Sequence, residues 1–255
     1  MKRISLSNTG IENIKTFDWI SYFKYNNTHL IKLDYSLDHE LTDEEKKLIF
    51  QSIKAFQIGE GSDGKHLMMV VKSFAEKTNY SDYPKIMDWF ILEENRHSQT
   101  LKKFMDIYGI ETVKKLWIDN VFRGLRKLMG LECEIIVLVT AEMIALSYYD
   151  ALADATNSKL LKDICTQMLN DELKHILLQS DTLGRISYGR NEILNYIIRA
   201  ERKILMNITS SVVWCKYKEV FRKGKYTKRL FQENCRFYLA ESVAIEKYGT
   251  FRRKI

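Results

Sequence analysis

Proline is almost missing from this chain: Pro84 is the single one in 255 residues, alongside 11 glycines. So few helix breakers over such a length exclude a turn-rich β architecture and favour an all-helical fold. Closely spaced cysteine pairs are missing too. Cys133, Cys165, Cys215 and Cys235 form no C-x-x-C pattern, which excludes a zinc knuckle and a redox pair and predicts reduced core thiols. No uninterrupted run of 18 apolar residues occurs, so no transmembrane helix is expected. The most apolar stretch, 135–146, is interrupted by Thr140 and Glu142. The first residues, Met1-Lys2-Arg3-Ile4-Ser5, lack an apolar signal core, and a cytoplasmic location is expected.

Charge is present in quantity and unevenly placed. The net charge is +7; residues 191–255 hold 15 Lys and Arg against 6 Asp and Glu, and the rest of the chain 25 against 27. A basic C-terminal quarter fits a solvated helical surface, or a docking face for an acidic carrier protein or an anionic membrane. No nucleic-acid-binding motif accompanies it, so no nucleic-acid partner is expected.

No linker-like stretch divides the chain, so one domain is expected over 1–255: a lead-in to residue 41, a bundle over 42–185 and basic helices over 186–255. Thr42 and Glu45 have the spacing of a capping box and predict a helix from 42 to about 78. Pro84 suits the first turn of a helix ending near Tyr108. Further helices are predicted over about 111–128, 132–155, 158–183, 190–222 and 226–249.

Two of these helices carry Glu-x-x-His: Glu94-Asn95-Arg96-His97 and Glu172-Leu173-Lys174-His175. Three residues is close to one helical turn, so Glu and His share a face. Single glutamates precede each motif, Glu60 and Glu142, with Asp63 and Glu134 as reserves. Each proposed ligand sits among apolar residues at helical spacing: Phe90 and Leu101 around Glu94, Leu138 and Ala145 around Glu142, Cys165 and Ile176 around Glu172, Ile53 and Phe56 around Glu60. Carboxylates on core-facing stripes are costly to bury unless something compensates their charge. A pair of metal ions does so, and one Glu from each of two helices plus Glu-x-x-His from two others is the ligand set of a carboxylate-bridged di-metal bundle. Carboxylate and imidazole without thiolate suit iron, with manganese as the alternative.

Leu92-Glu93-Glu94-Asn95-Arg96-His97 resembles the E-E-N-R-H segment of plant and bacterial acyl-carrier-protein desaturases. Asn170-Asp171-Glu172-Leu173-Lys174-His175 resembles their D-E-x-R-H segment. The order of lone Glu and Glu-x-x-His is that of ferritin-like di-iron oxidoreductases, and the resemblance covers about residues 42–185. It implies a ferritin-like four-helix bundle with additional N- and C-terminal helices. The implied metal ligands are Glu60, Glu94, His97, Glu142, Glu172 and His175, with Glu94 and Glu172 bridging. Asp171 would accept a hydrogen bond from His97, and Arg96 and Lys174 would lie near as countercharges. Two iron ions, O2 as co-substrate, an external electron donor and a homodimer follow from the same resemblance.

The chain departs from each familiar class. Ala145 stands where desaturases carry Thr, with Thr140 on another side of the helix. Leu101 stands where the radical-bearing reductases carry Tyr. Met168 stands where arylamine N-oxygenases carry a third His. The expected function is an O2-dependent di-iron oxidoreductase, desaturase- or oxygenase-like, on an organic and carrier-tethered acyl substrate. The alternatives are an N-oxygenase or tailoring oxygenase on a free small molecule, and an iron-storage or peroxide-scavenging protein. Around Glu60, Gly59, Gly61 and Gly64 suggest close helix packing or room beside the metals. His66 is expected at the surface, and Trp89, Tyr148 and Tyr149 in the core.

Overall fold

A computed structural model of the chain describes residues 6, 14–36, 41–61, 64–112 and 130–248. Among these residues the architecture is all-helical, without a strand. A short 3-10 turn, Ile14–Thr16, precedes α1 (Trp19–Thr28), α2 (Asp43–Glu60), α3 (Lys65–Thr78), α4 (Tyr83–Ile107), α5 (Gly130–Ala155), α6 (Lys159–Ser187), α7 (Glu192–Lys223) and α8 (Lys228–Tyr248). Most of the helix expected over 111–128, and the reserve Asp63, lie outside the described residues.

The contacts group the chain into two units. One is built from 18–134 with 152–168, the other from the residues up to 17, 135–151 and those from 169 onward. In the first, α1, α2 and α3 all pack on α4. The capping box forms as expected: Glu45 N–H donates to Thr42 Oγ1 at 3.2 Å, and Thr42 N–H to Glu45 Oε2 at 2.9 Å. The other oxygen of Glu45 accepts from Asn157 N–H at 2.7 Å, so the cap also ties down a distant turn. The described part of the lead-in carries one helix, α1. Trp19 and Phe23 of α1 are buried, and Asn26 Nδ2 donates to Glu93 Oε1 of α4 at 2.6 Å.

The helix expected from 42 to 78 is two helices. α2 stops at Glu60, and Gly64 starts α3 with φ +63°. A side chain at Gly64 would be strained by that backbone, and its Cβ would stand 2.5 Å from Ile91 Cδ1. Apolar periodicity reads straight through such a break because it does not sense a positive φ. At Gly61 an added Cβ would meet Ser98 Oγ at 3.1 Å, whereas Gly59 has nothing within 4 Å. Close approach therefore explains two of these three glycines.

In the second unit, α7 and α8 pack along each other. Arg202, fully buried in α7, is ion-paired to Glu246 of α8, and its Nη2 donates to Ser242 Oγ at 3.0 Å. Arg199 Nε donates to the same carboxylate at 2.9 Å. Gly224, at the end of α7, lets the chain approach Ala151, whose carbonyl oxygen would lie 2.2 Å from an added Cβ. Tyr148 and Tyr149 are fully buried, and Tyr148 meets the ring of Phe221 edge-on at 6.3 Å. The helix α5 is long and apolar enough to cross a membrane by length and composition, with mean hydropathy 1.6 over its most apolar window; 78% of that window is buried inside the protein. The burial marks it as a core helix, although the interrupted apolar run alone concealed its overall hydropathy.

Candidate metal centre

Each unit gathers three of the sequence-predicted ligands. In the first, Glu60 closes α2, and Glu94 and His97 lie one turn apart on α4. In the second, Glu142 comes from α5, and Glu172 and His175 lie one turn apart on α6. Within each triad one ligand atom per residue lies within 4.8 Å of the others. His97 Nδ1 stands 3.8 Å from Glu60 Oε2 and 3.9 Å from Glu94 Oε1. His175 Nδ1 stands 3.5 Å from Glu172 Oε2. These separations exceed those of ordinary N–H···O bonds. They match two donors that each sit about 2.1 Å from one shared ion, which stand roughly 3–4 Å apart.

The electrostatics of each triad favour a cation. Glu60, Glu142, Glu172, His97 and His175 are buried, and Glu94 is 14% exposed. Two carboxylates converging on one point repel each other, and a positive ion between them replaces that repulsion with attraction. Glu60 has a second reason to seek one. It ends α2, where the helix dipole is negative and cations are stabilised. The donor set is two carboxylates and one imidazole per triad, without sulfur, and it fits iron or manganese.

Neighbouring side chains hold the candidate ligands in place. Ser98 Oγ donates to the Gln57 carbonyl at 2.8 Å and accepts from Gln57 Nε2 at 2.9 Å, pinning the last turn of α2 to α4. Gln179 Nε2 donates to Glu142 Oε1. Sequence reading passed over Gln179, yet it lies seven residues after Glu172 and four after His175, on the same helical face. It also passed over Glu93, which is buried and accepts from both Asn26 and Arg96, the latter at 2.9 Å. Arg96 is thus engaged by Glu93, the residue beside a ligand.

Asp171 is fully buried next to Glu172. Lys174 is half-buried, and that burial pulls its ammonium down to about 8. His66 is not the bare surface residue its position suggested: it is paired with Glu134, which is buried. Glu134 is thereby paired with His66, and Glu142 is the glutamate that converges with Glu172 and His175. Ala145, Leu101 and Met168, which mark the departures from familiar classes, are all buried. No protein-family model matches the chain, and no curated protein and no solved structure does either.

Proposed function

We propose that the two triads serve one pair of iron ions, with Glu94 and Glu172 bridging, and that the protein is an O2-dependent oxidoreductase acting on an organic, acyl-like substrate. The single observation that carries the reading is the repeated geometry: Glu60, Glu94 and His97 on one side, Glu142, Glu172 and His175 on the other, each buried and each converging within 4.8 Å. Together they supply four carboxylates and two imidazoles, the complement of a carboxylate-bridged pair. The ferritin-like arrangement of the four ligand-bearing helices, α2, α4, α5 and α6, belongs to the same proposal.

Iron, if bound there, would supply one-electron redox chemistry toward O2. The chain's own residues do the rest. Four carboxylates balance the charge of two divalent ions, so the reduced centre sits in the core without excess charge. Gln179 holds Glu142 by its Oε1, and Arg96 neutralises Glu93 beside Glu94. Asp171, buried next to Glu172, is the group suited to orient a ligand imidazole. Leu101, Met168 and Ala145 keep the surroundings apolar and exclude water, which suits an apolar substrate and protects a reactive centre. Electrons come from an external donor.

Anaerobic loading with Fe(II) followed by an O2 pulse tests the reading. The protein should consume O2 faster than free Fe(II) does, and Glu172→Ala should abolish the difference. With a reductant and a set of acyl substrates, the product should show loss of two hydrogens or gain of one oxygen by mass spectrometry. Accumulation of ferric mineral without turnover of any organic substrate would instead support storage.

A further inference from the structure

The face of α7 turned away from the core carries an apolar stripe. Ile193, Ile197, Ile204 and Ile208 follow one another at spacings of four, seven and four, which places them on a single side of the helix. Ile193 is 72% exposed, and Ile204 and Ile208 are each 59% exposed. The opposite side, with Asn195, Arg202, Met206 and Thr209, is the buried one. Tyr196, in the first turns of the same helix, and Tyr188, in the turn that precedes it, are also largely exposed. Four isoleucines on one solvent-facing stripe are more than the scattered apolar residues of an ordinary surface.

Beside the stripe, α7 and α8 form a groove of about 310 Å³. Its floor is apolar, from Leu239 and Val243, and Tyr248 stands at one end. Three cations line it: Lys203, Arg236 and Lys247. None of the three makes an ion pair among the described residues. The acid next to Lys247, Glu246, is already taken by Arg199 and Arg202. The groove therefore presents three cations to which the described residues of its unit offer no ion-pair partner.

We propose that this face of α7 and α8 docks the protein on an anionic phospholipid bilayer. The isoleucines enter the boundary between headgroups and acyl chains, the tyrosines sit at headgroup level, and Lys203, Arg236 and Lys247 meet lipid phosphates. Charge decides between a bilayer and a second copy of the chain. A symmetric pairing through this face would bring the same cations together, whereas an anionic bilayer receives both the apolar stripe and the charge. The inference stands on this surface alone and does not depend on the metal reading.

Co-sedimentation of the full chain with vesicles tests it. Phosphatidylcholine vesicles containing about a third phosphatidylglycerol should bind the protein and pure phosphatidylcholine should not, with binding falling as salt rises. Replacing Lys203 and Lys247 by Ala should weaken binding about fivefold per cation. The pair Ile204→Asp and Ile208→Asp should weaken it about tenfold or more, with an unchanged thermal melt because both sites are exposed. Equal binding to both vesicle types, or to neither, would overturn the proposal. So would displacement by inorganic phosphate at constant ionic strength, which would mark a free-anion site. If the Asp variants turn a dimer into a monomer and leave vesicle binding unchanged, the face is an interface between copies and the proposal is wrong.

Discussion

At the scale of single residues, the candidate centre depends on side chains that are not themselves ligands. Gln179 is the most direct case, since its amide donates to Glu142 from the same face that carries Glu172 and His175. Gln179→Leu keeps the volume and removes the donor, so metal affinity should fall about 10–100-fold while helicity is retained. Competition with a chelator, with circular dichroism beside it, checks this. The ligand types and their spacing were legible in the sequence because a helix converts Glu-x-x-His into a shared face. Gln179 was not, because it lies outside the motif and only the structure shows which glutamate it meets. The pairing of His66 with Glu134 was hidden for a related reason. Helical phase within one segment does not reveal that another element brings a buried carboxylate to an exposed-looking histidine.

At the scale of elements, α7 and α8 are joined through one carboxylate. Glu246 meets buried Arg202 and also Arg199. Glu246→Ala would take the carboxylate away from buried Arg202, and should destabilise the protein by about 3–5 kcal/mol. Chemical denaturation measures that loss, and a loss below about 1 kcal/mol would show that the pair contributes little. Helix existence was the most legible property of the chain: the capping box at Thr42, Pro84 in the first turn of α4, and long apolar patterns locate the elements well. The break at Gly61 and Gly64 was harder to read. Three glycines signal a weakened helix, but the positive φ at Gly64 and the approach of Ile91 arise from tertiary packing. The bounds of α1 were not legible because its ten residues are weakly patterned and depend on anchors such as Asn26 with Glu93.

At the scale of the whole molecule, burial makes the fold sensitive to alkali. The Cys235 thiol is fully buried and pushed up from 9.0 to about 12, and Tyr217 is raised from 10.0 to about 12, both by burial. Between pH 9 and 12 the unfolded chain releases the Cys235 proton while the folded chain retains it, so stability should fall as pH rises through that window. The slope from Cys235 is about 1.4 kcal/mol per pH unit. Thermal melts across this range should show the decline, and Cys235→Ala should flatten it while lowering the melt at neutral pH. The all-helical class follows from composition and patterning, whereas the proposed chemistry would rest on six side chains drawn from four helices. Their convergence within each unit, 4.8 Å or less between candidate ligand atoms, is the observation behind the proposed metal centre. Metal analysis after anaerobic Fe(II) loading and desalting tests that claim most directly. Two iron ions per chain are expected, with sharp losses in His97→Ala and Glu142→Ala; fewer than one per chain, or variants that load as the parent does, would contradict it.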